Sequence, residues 1–132
     1  MTSYSRLFLF VPGVFCTVAL YAISDFSTKK LSSSEAISKW GSQKFESNTF
    51  KTGDILIRAK MASDLLENNQ FRGKSVLEVW EALGHHDGHY KNDVVPAYIL
   101  NDDENDVWQL VFLVDEKRFV TSMAIYKNCC EK

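Results

Sequence analysis

The sequence predicts an α+β domain: two short helices packed on a three-stranded antiparallel β-meander, preceded by an N-terminal hydrophobic helix. Three observations predict it. Two segments with helical apolar spacing come first, at 54–68 and 75–83. Three strand-like segments follow, at 94–100, 107–114 and 119–126, and the turns between them are short. Helices first and strands afterwards, with short turns, give an antiparallel sheet covered on one face by helices.

The first helix is expected from Asp54, whose carboxylate can cap it, to Asn68. Ile57, Met61 and Leu65 recur every four residues and Leu66 widens that face, while Arg58, Lys60, Asp64 and Glu67 take the rest. The second runs from Ser75 to Leu83. Ser75 and Glu78 fit the capping box, in which each side chain satisfies an orphan backbone N–H. Val76, Val79, Trp80 and Leu83 fall on one face, and Gly84 supplies the stop. So short a helix does not stand alone in water, so Trp80 and Leu83 must bury against something.

The strands supply that surface. Pro96 marks the first as an edge or a strand start. Residues 101–106, NDDEND, form a charged turn. In the second strand Trp108, Leu110, Phe112 and Val114 share one face, and Val107, Gln109, Val111 and Leu113 the other. A tight turn at 115–118 leads to the third. Ahead of the helices, 34–40 can form a short helix stopped by Gly41, and 41–48 is polar and irregular with Phe45 as an anchor. The domain plan is therefore 1–24 as signal peptide or membrane anchor, 25–50 as linker with one short helix, and 51–132 as the α+β domain.

Charge is placed unevenly. The chain has 15 Lys and Arg against 17 Asp and Glu, a net of −2, which gives no electrostatic reason to expect nucleic acid as a partner. Residues 1–24 hold a single charged side chain, Arg6. From Leu7 to Ile23 every residue is apolar or small apart from Thr17 and Tyr21, and these 17 residues sit at the lower limit for a helix crossing a bilayer core of about 30 Å. A buried helix would show a polar stripe, and this run has none. Ala22 and Ser24 offer small residues for cleavage before Asp25, so export followed by cleavage and retention as an anchor both stay open. Lys29 and Lys30 beyond the run and Arg6 before it leave the orientation open. Cys16 follows Val14 and Phe15 within the apolar run, which does not suit lipid attachment. Cys129 and Cys130 are adjacent; a bond between neighbours would close a strained ring, which leaves free thiols or a disulfide-linked oligomer through either.

Between helix and sheet the chain reads F-x-G-x-S-x-x-E-V-x-x-x-L-G-x-x-D, carried by Phe71, Gly73, Ser75, Val79, Leu83, Gly84 and Asp87. With the strand of Trp108 and the one ending in Ile125, this resembles the small exported bacterial proteins of the SmpA/OmlA group. That group includes the outer-membrane assembly lipoprotein BamE and has the β-lactamase-inhibitor-protein-like fold. The similarity spans about residues 58–126. It implies the fold and a place in the cell envelope. His86 stands where members often have proline, and the lipid-bearing cysteine has no counterpart.

Chemistry is sparse. His85, His86, Asp87 and His89 could ligate zinc or copper if they converged; otherwise they form a polar loop in which Asp87-Gly88 turns the chain. Ser75 with His85 and Asp87 is the one local nucleophile–base set, but Ser75 serves better as a cap and no G-x-S-x-G elbow exists. No catalytic residue, cofactor or metal is expected. A sheet covered on one face leaves the other open, and Val107, Val111, Leu113, Val120 and Tyr126 are the candidate protein-binding residues there, unless residues 40–50 fold over them. The expected function is a non-enzymatic envelope protein: a protein-binding module, exported, membrane-anchored through 7–23 or periplasmic, serving envelope assembly or maintenance, with another envelope protein as partner. The alternatives are a metal-binding protein using the histidine loop, and an inhibitor or immunity protein.

Overall fold

The structure is a computed structural model and describes residues 29–101, 103 and 106–127. The apolar run 7–23, Cys16, part of the charged turn, and Cys129 and Cys130 lie outside the described residues. The elements follow in the order β1 (Lys30–Leu31), α1 (Ser33–Trp40), α2 (Ser47–Thr52), α3 (Ile55–Asn68), α4 (Val76–Leu83), β2 (Ala97–Ile99), β3 (Trp108–Val114) and β4 (Val120–Lys127). The class is α+β, and the meander β2–β3–β4 is antiparallel. The described sheet has four strands, in the order β1-β4-β3-β2, beneath four helices.

Within the stretch expected as a linker, residues 29–50 pack against the rest of the domain. Leu31 pairs with Ile125 at the edge of β4, and Ser32 caps α1 with a capping box completed by Glu35. Ala36 and Phe50 are fully buried, while Ile37 points outward and is 38% exposed. The irregular residues after Gly41 are laced to α3: Gln43 N donates to Lys60 O at 2.9 Å and Phe45 N to Asp64 Oδ2 at 2.7 Å. The unexpected helix α2 is one and a half turns long and has no apolar period; Phe50 alone is buried, and a glutamate, Glu46, caps it.

α3 and α4 form as their caps dictate. Asp54 accepts from Ile57 N, Asn69 closes α3 in the left-handed conformation, and Ser75 and Glu78 complete the second capping box. Gly84 ends α4 at φ 89, ψ 169, a region open in practice to glycine. Between the helices Gly73, at φ 86, turns its N–H onto Val120 O at 2.8 Å, and Val120 N donates to Lys74 O at 2.8 Å. The connection between α3 and α4 thus pairs with the start of β4.

A closed ring of aromatic contacts fills the main core: Phe45–Phe50, Phe50–Tyr98, Tyr98–Phe112, Phe112–Phe71 and Phe71–Phe45, all edge-on, with centroids 5.5 to 6.1 Å apart. Such edge-to-face pairs add to the area they bury. The ring joins the 41–46 segment, α2, the turn after α3, β2 and β3 into one body.

Candidate functional site

The histidine loop does not converge. Asp87 Oδ2 binds Arg58 Nη1 at 2.7 Å and its Oδ1 accepts from Ile99 N at 3.1 Å, so its carboxylate closes the outer edge of β2. His86 Nδ1 accepts from Trp80 Nε1 at 3.1 Å, which fixes the neutral tautomer with the proton on Nε2. His85 stacks on Trp80 at 4.5 Å and on His86 at 4.7 Å. His89 is exposed and faces Asp93, with Nδ1 3.5 Å from Oδ1. Among the described residues no three His, Cys, Asp or Glu side chains are placed to hold a metal ion. Ser75 Oγ accepts from Glu78 N as a cap. Tyr98, its phenol pushed well up by burial, donates to Gly84 O at 2.6 Å and pins the end of α4.

His86 makes the loop sensitive to acid. Its pKa lies below the ordinary 6.5, first because burial disfavours the charged ring, then because His85 repels it; Asp87 and Asp93 act the other way. The unfolded chain therefore takes up the proton more readily than the folded one. Stability from this group is full above pH 6.5 and declines as the pH falls from there toward the folded pKa. The melting midpoint is expected to drop across that window. His86→Asn, whose amide oxygen can still accept from Trp80, is expected to flatten the slope; an unchanged slope would assign it to other groups.

The sheet's outer face is not open as the alternation suggests. The 88–95 loop lies over it. Val111 is fully buried with Val95 and Ala97, and Tyr90 stacks on Tyr126 at 4.8 Å. Val120 is in the main core, at 2% exposure. The register shifts between Leu113 and Val114, so Val114 pairs with Val120 and strict alternation fails at that end of β4. Val107, Leu113 and Tyr126 remain half-buried. The covering segment is residues 88–95, which continue the histidine loop, not residues 40–50. Both edges of the sheet are also partly closed: Gly88 N donates to Ala97 O at 2.8 Å on β2, and the 73–76 connection and β1 flank β4.

A different surface carries an open concavity. Ser75, Val76, Leu77 and Trp80 of the start of α4, Asp93 and Val94 of the loop, and Lys117 and Arg118 of the β3–β4 turn enclose a cleft of about 300 Å³. Its floor is apolar and Leu77 stands 68% exposed beside it; Phe119, 42% exposed, follows at the same turn. Asp115 Oδ1 organises the turn by accepting from Lys117 N and Phe119 N. Arg118 is held at φ 70, a conformation that costs a side-chain-bearing residue about 1–2 kcal/mol. Arg118→Gly is expected to raise the urea midpoint, by about 0.5–1 kcal/mol of stability; a lower midpoint would refute the strain. Nothing in the sequence alone marks this cleft, because its walls come from three segments far apart in the chain. No family model, curated protein or solved structure matches this chain.

Proposed function

We propose that this chain is a non-enzymatic protein of a cell envelope, held at a membrane through residues 7–23 and acting by binding another protein. The observation that carries the reading is where the chain enters and leaves the domain. Lys127 N donates to Lys29 O at 3.0 Å, so the first and last described residues lie side by side at one end of the sheet. Five residues, 24–28, separate that point from the apolar run, and they span at most about 18 Å. The domain therefore hangs by one end and offers its opposite end to a partner. The Phe71–Asp87 resemblance to the SmpA/OmlA group supports the envelope setting.

The polar constellations support a structural rather than a chemical role. Ser75 is occupied as a cap, Asp87 by Arg58 and Ile99, and His86 by Trp80. An inhibitor or immunity protein would be a special case of the same binding role, told apart by the identity of its target.

The test is an in-cell crosslink and affinity capture of tagged full-length protein from detergent-solubilised membranes, read by mass spectrometry. One dominant envelope protein, recovered with the N-terminal peptide intact, is the expected result. Recovery of this chain alone would remove the reading.

A further inference from the structure

Resting on that reading, we infer that the cleft between the start of α4 and the β3–β4 turn is the docking site, and that its occupant is an extended segment of the partner carrying an apolar side chain flanked by carboxylates.

Position comes first. The cleft lies at the end of β4 where Val120 begins, beside the turn at 115–118, whereas the chain enters and leaves at Lys29 and Lys127. β4 runs eight residues between the two ends, about 26 Å. The cleft is thus carried at the end of β4 opposite Lys29 and Lys127. Charge comes second. The lining holds two cations, Lys117 and Arg118, and one carboxylate, Asp93. Neither cation has an ion-pair partner among the described residues, while Asp93 already faces His89. The nearby Glu78 is committed to Ser75 N at 2.8 Å. An apolar lining of Val76, Leu77, Trp80 and Val94 beside two unpaired cations complements an apolar side chain between acidic ones. The third observation is Arg118 itself. A long cation occupies a left-handed position that glycine or asparagine would fill with less strain. Strained positions cluster at ligand clamps, and this one lies in the lining of the cleft.

The experiment places a photo-crosslinking residue at Leu77 of the full-length chain, with a second protein carrying it at Leu113, in cells that express the protein. The crosslinked peptides are sequenced. Leu77 is exposed, so the replacement leaves the core intact. The expected product at Leu77 is a peptide of another protein in which an apolar residue is flanked by Asp or Glu. Arg118→Gly and Lys117→Glu should each lower its yield several-fold, although Arg118→Gly stabilises the fold. A product from residues 1–28 of the same chain, from a second copy, or from a peptide without acidic residues would overturn the inference. So would a yield indifferent to both substitutions. Crosslinking at Leu113 but not at Leu77 would leave the binding role standing and refute the cleft. Crosslinking at neither would refute both.

Discussion

Replacing Gly88 by alanine is expected to detach the 88–95 loop from the sheet and to cost about 3 kcal/mol. The reason is close approach, not backbone handedness. A Cβ on Gly88 would overlap Gln109 Oε1 and stand 3.0 Å from Ala97 O. Neither neighbour can yield. Ala97 belongs to β2, and Gln109, 1% exposed in β3, clamps the loop backbone with both ends of its amide. Its Oε1 accepts from His89 N at 2.7 Å, and its Nε2 donates to His89 O at 2.9 Å. If the loop lifts, a buried amide and two backbone groups lose their partners, each at about 1–3 kcal/mol unless water replaces them. Val111 and Ala97, now at 0% exposure, would also meet solvent. Gln109→Leu is expected to act the same way from the other side, by about 2 kcal/mol, since it orphans His89 N and O. Urea denaturation gives the cost, and hydrogen exchange at His89 N reports whether the loop opened before the domain did. Gly73→Ala is the contrast: a Cβ there meets nothing within 4 Å, and only the positive φ opposes it. A Gly88→Ala protein with an unchanged midpoint would show that the clamp does not hold the loop.

That clamp shows which features a sequence can reveal and which it hides. The caps of α3 and α4 are local, each side chain bonding a backbone N–H three residues away, so Asp54, Ser75 and Glu78 are readable directly. The alternation of β3 places Trp108, Leu110 and Phe112 in the main core, where they are. The motif residues from Phe71 to Gly84 each hold the fold: Phe71 sits in the aromatic ring, Gly73 turns the chain at positive φ, Val79 and Leu83 are buried, and Gly84 stops the helix. The features that local patterns miss depend on partners distant in sequence. β1 is two residues long and exists because β4, at the far end of the domain's sequence, accepts it. Alternation puts Gln109 on an outer face, and only the fold brings His89 under it. Counting in twos puts Val120 on that same face, because it passes through an irregularity beside the turn at Arg118. The cleft is illegible for the same reason: Leu77, Val94 and Arg118 share no period.

Removing the Asp87 carboxylate is expected to cost more than removing its arginine partner, and removing both less than removing Asp87 alone. The asymmetry comes from burial. The Arg58 side chain is 14% exposed, with its guanidinium 5.4 Å from the centre of the Phe50 ring and 6.0 Å from that of Tyr98; the Asp87 side chain is 43% exposed. Asp87→Ala strands an enclosed guanidinium without its counter-charge and frees Ile99 N, for a loss of about 3 kcal/mol. Arg58→Met keeps much of the packing between the rings and leaves a carboxylate that water can reach and that still holds Ile99 N. The expected loss is about 1 kcal/mol. Adding Arg58→Met to Asp87→Ala removes the stranded charge, so the double variant should melt above the Asp87→Ala single. Asp87→Asn, which keeps an acceptor for Ile99 N, should fall between. Thermal and urea unfolding of the parent, the two singles and the double forms the cycle, with a coupling of about 1–2 kcal/mol expected. Additive losses would mean that the pair carries no interaction. The rescue also isolates the cause of the loss: replacing arginine by methionine restores neither the carboxylate nor the bond to Ile99 N, so recovery can come only from removing the charge that Asp87→Ala had stranded.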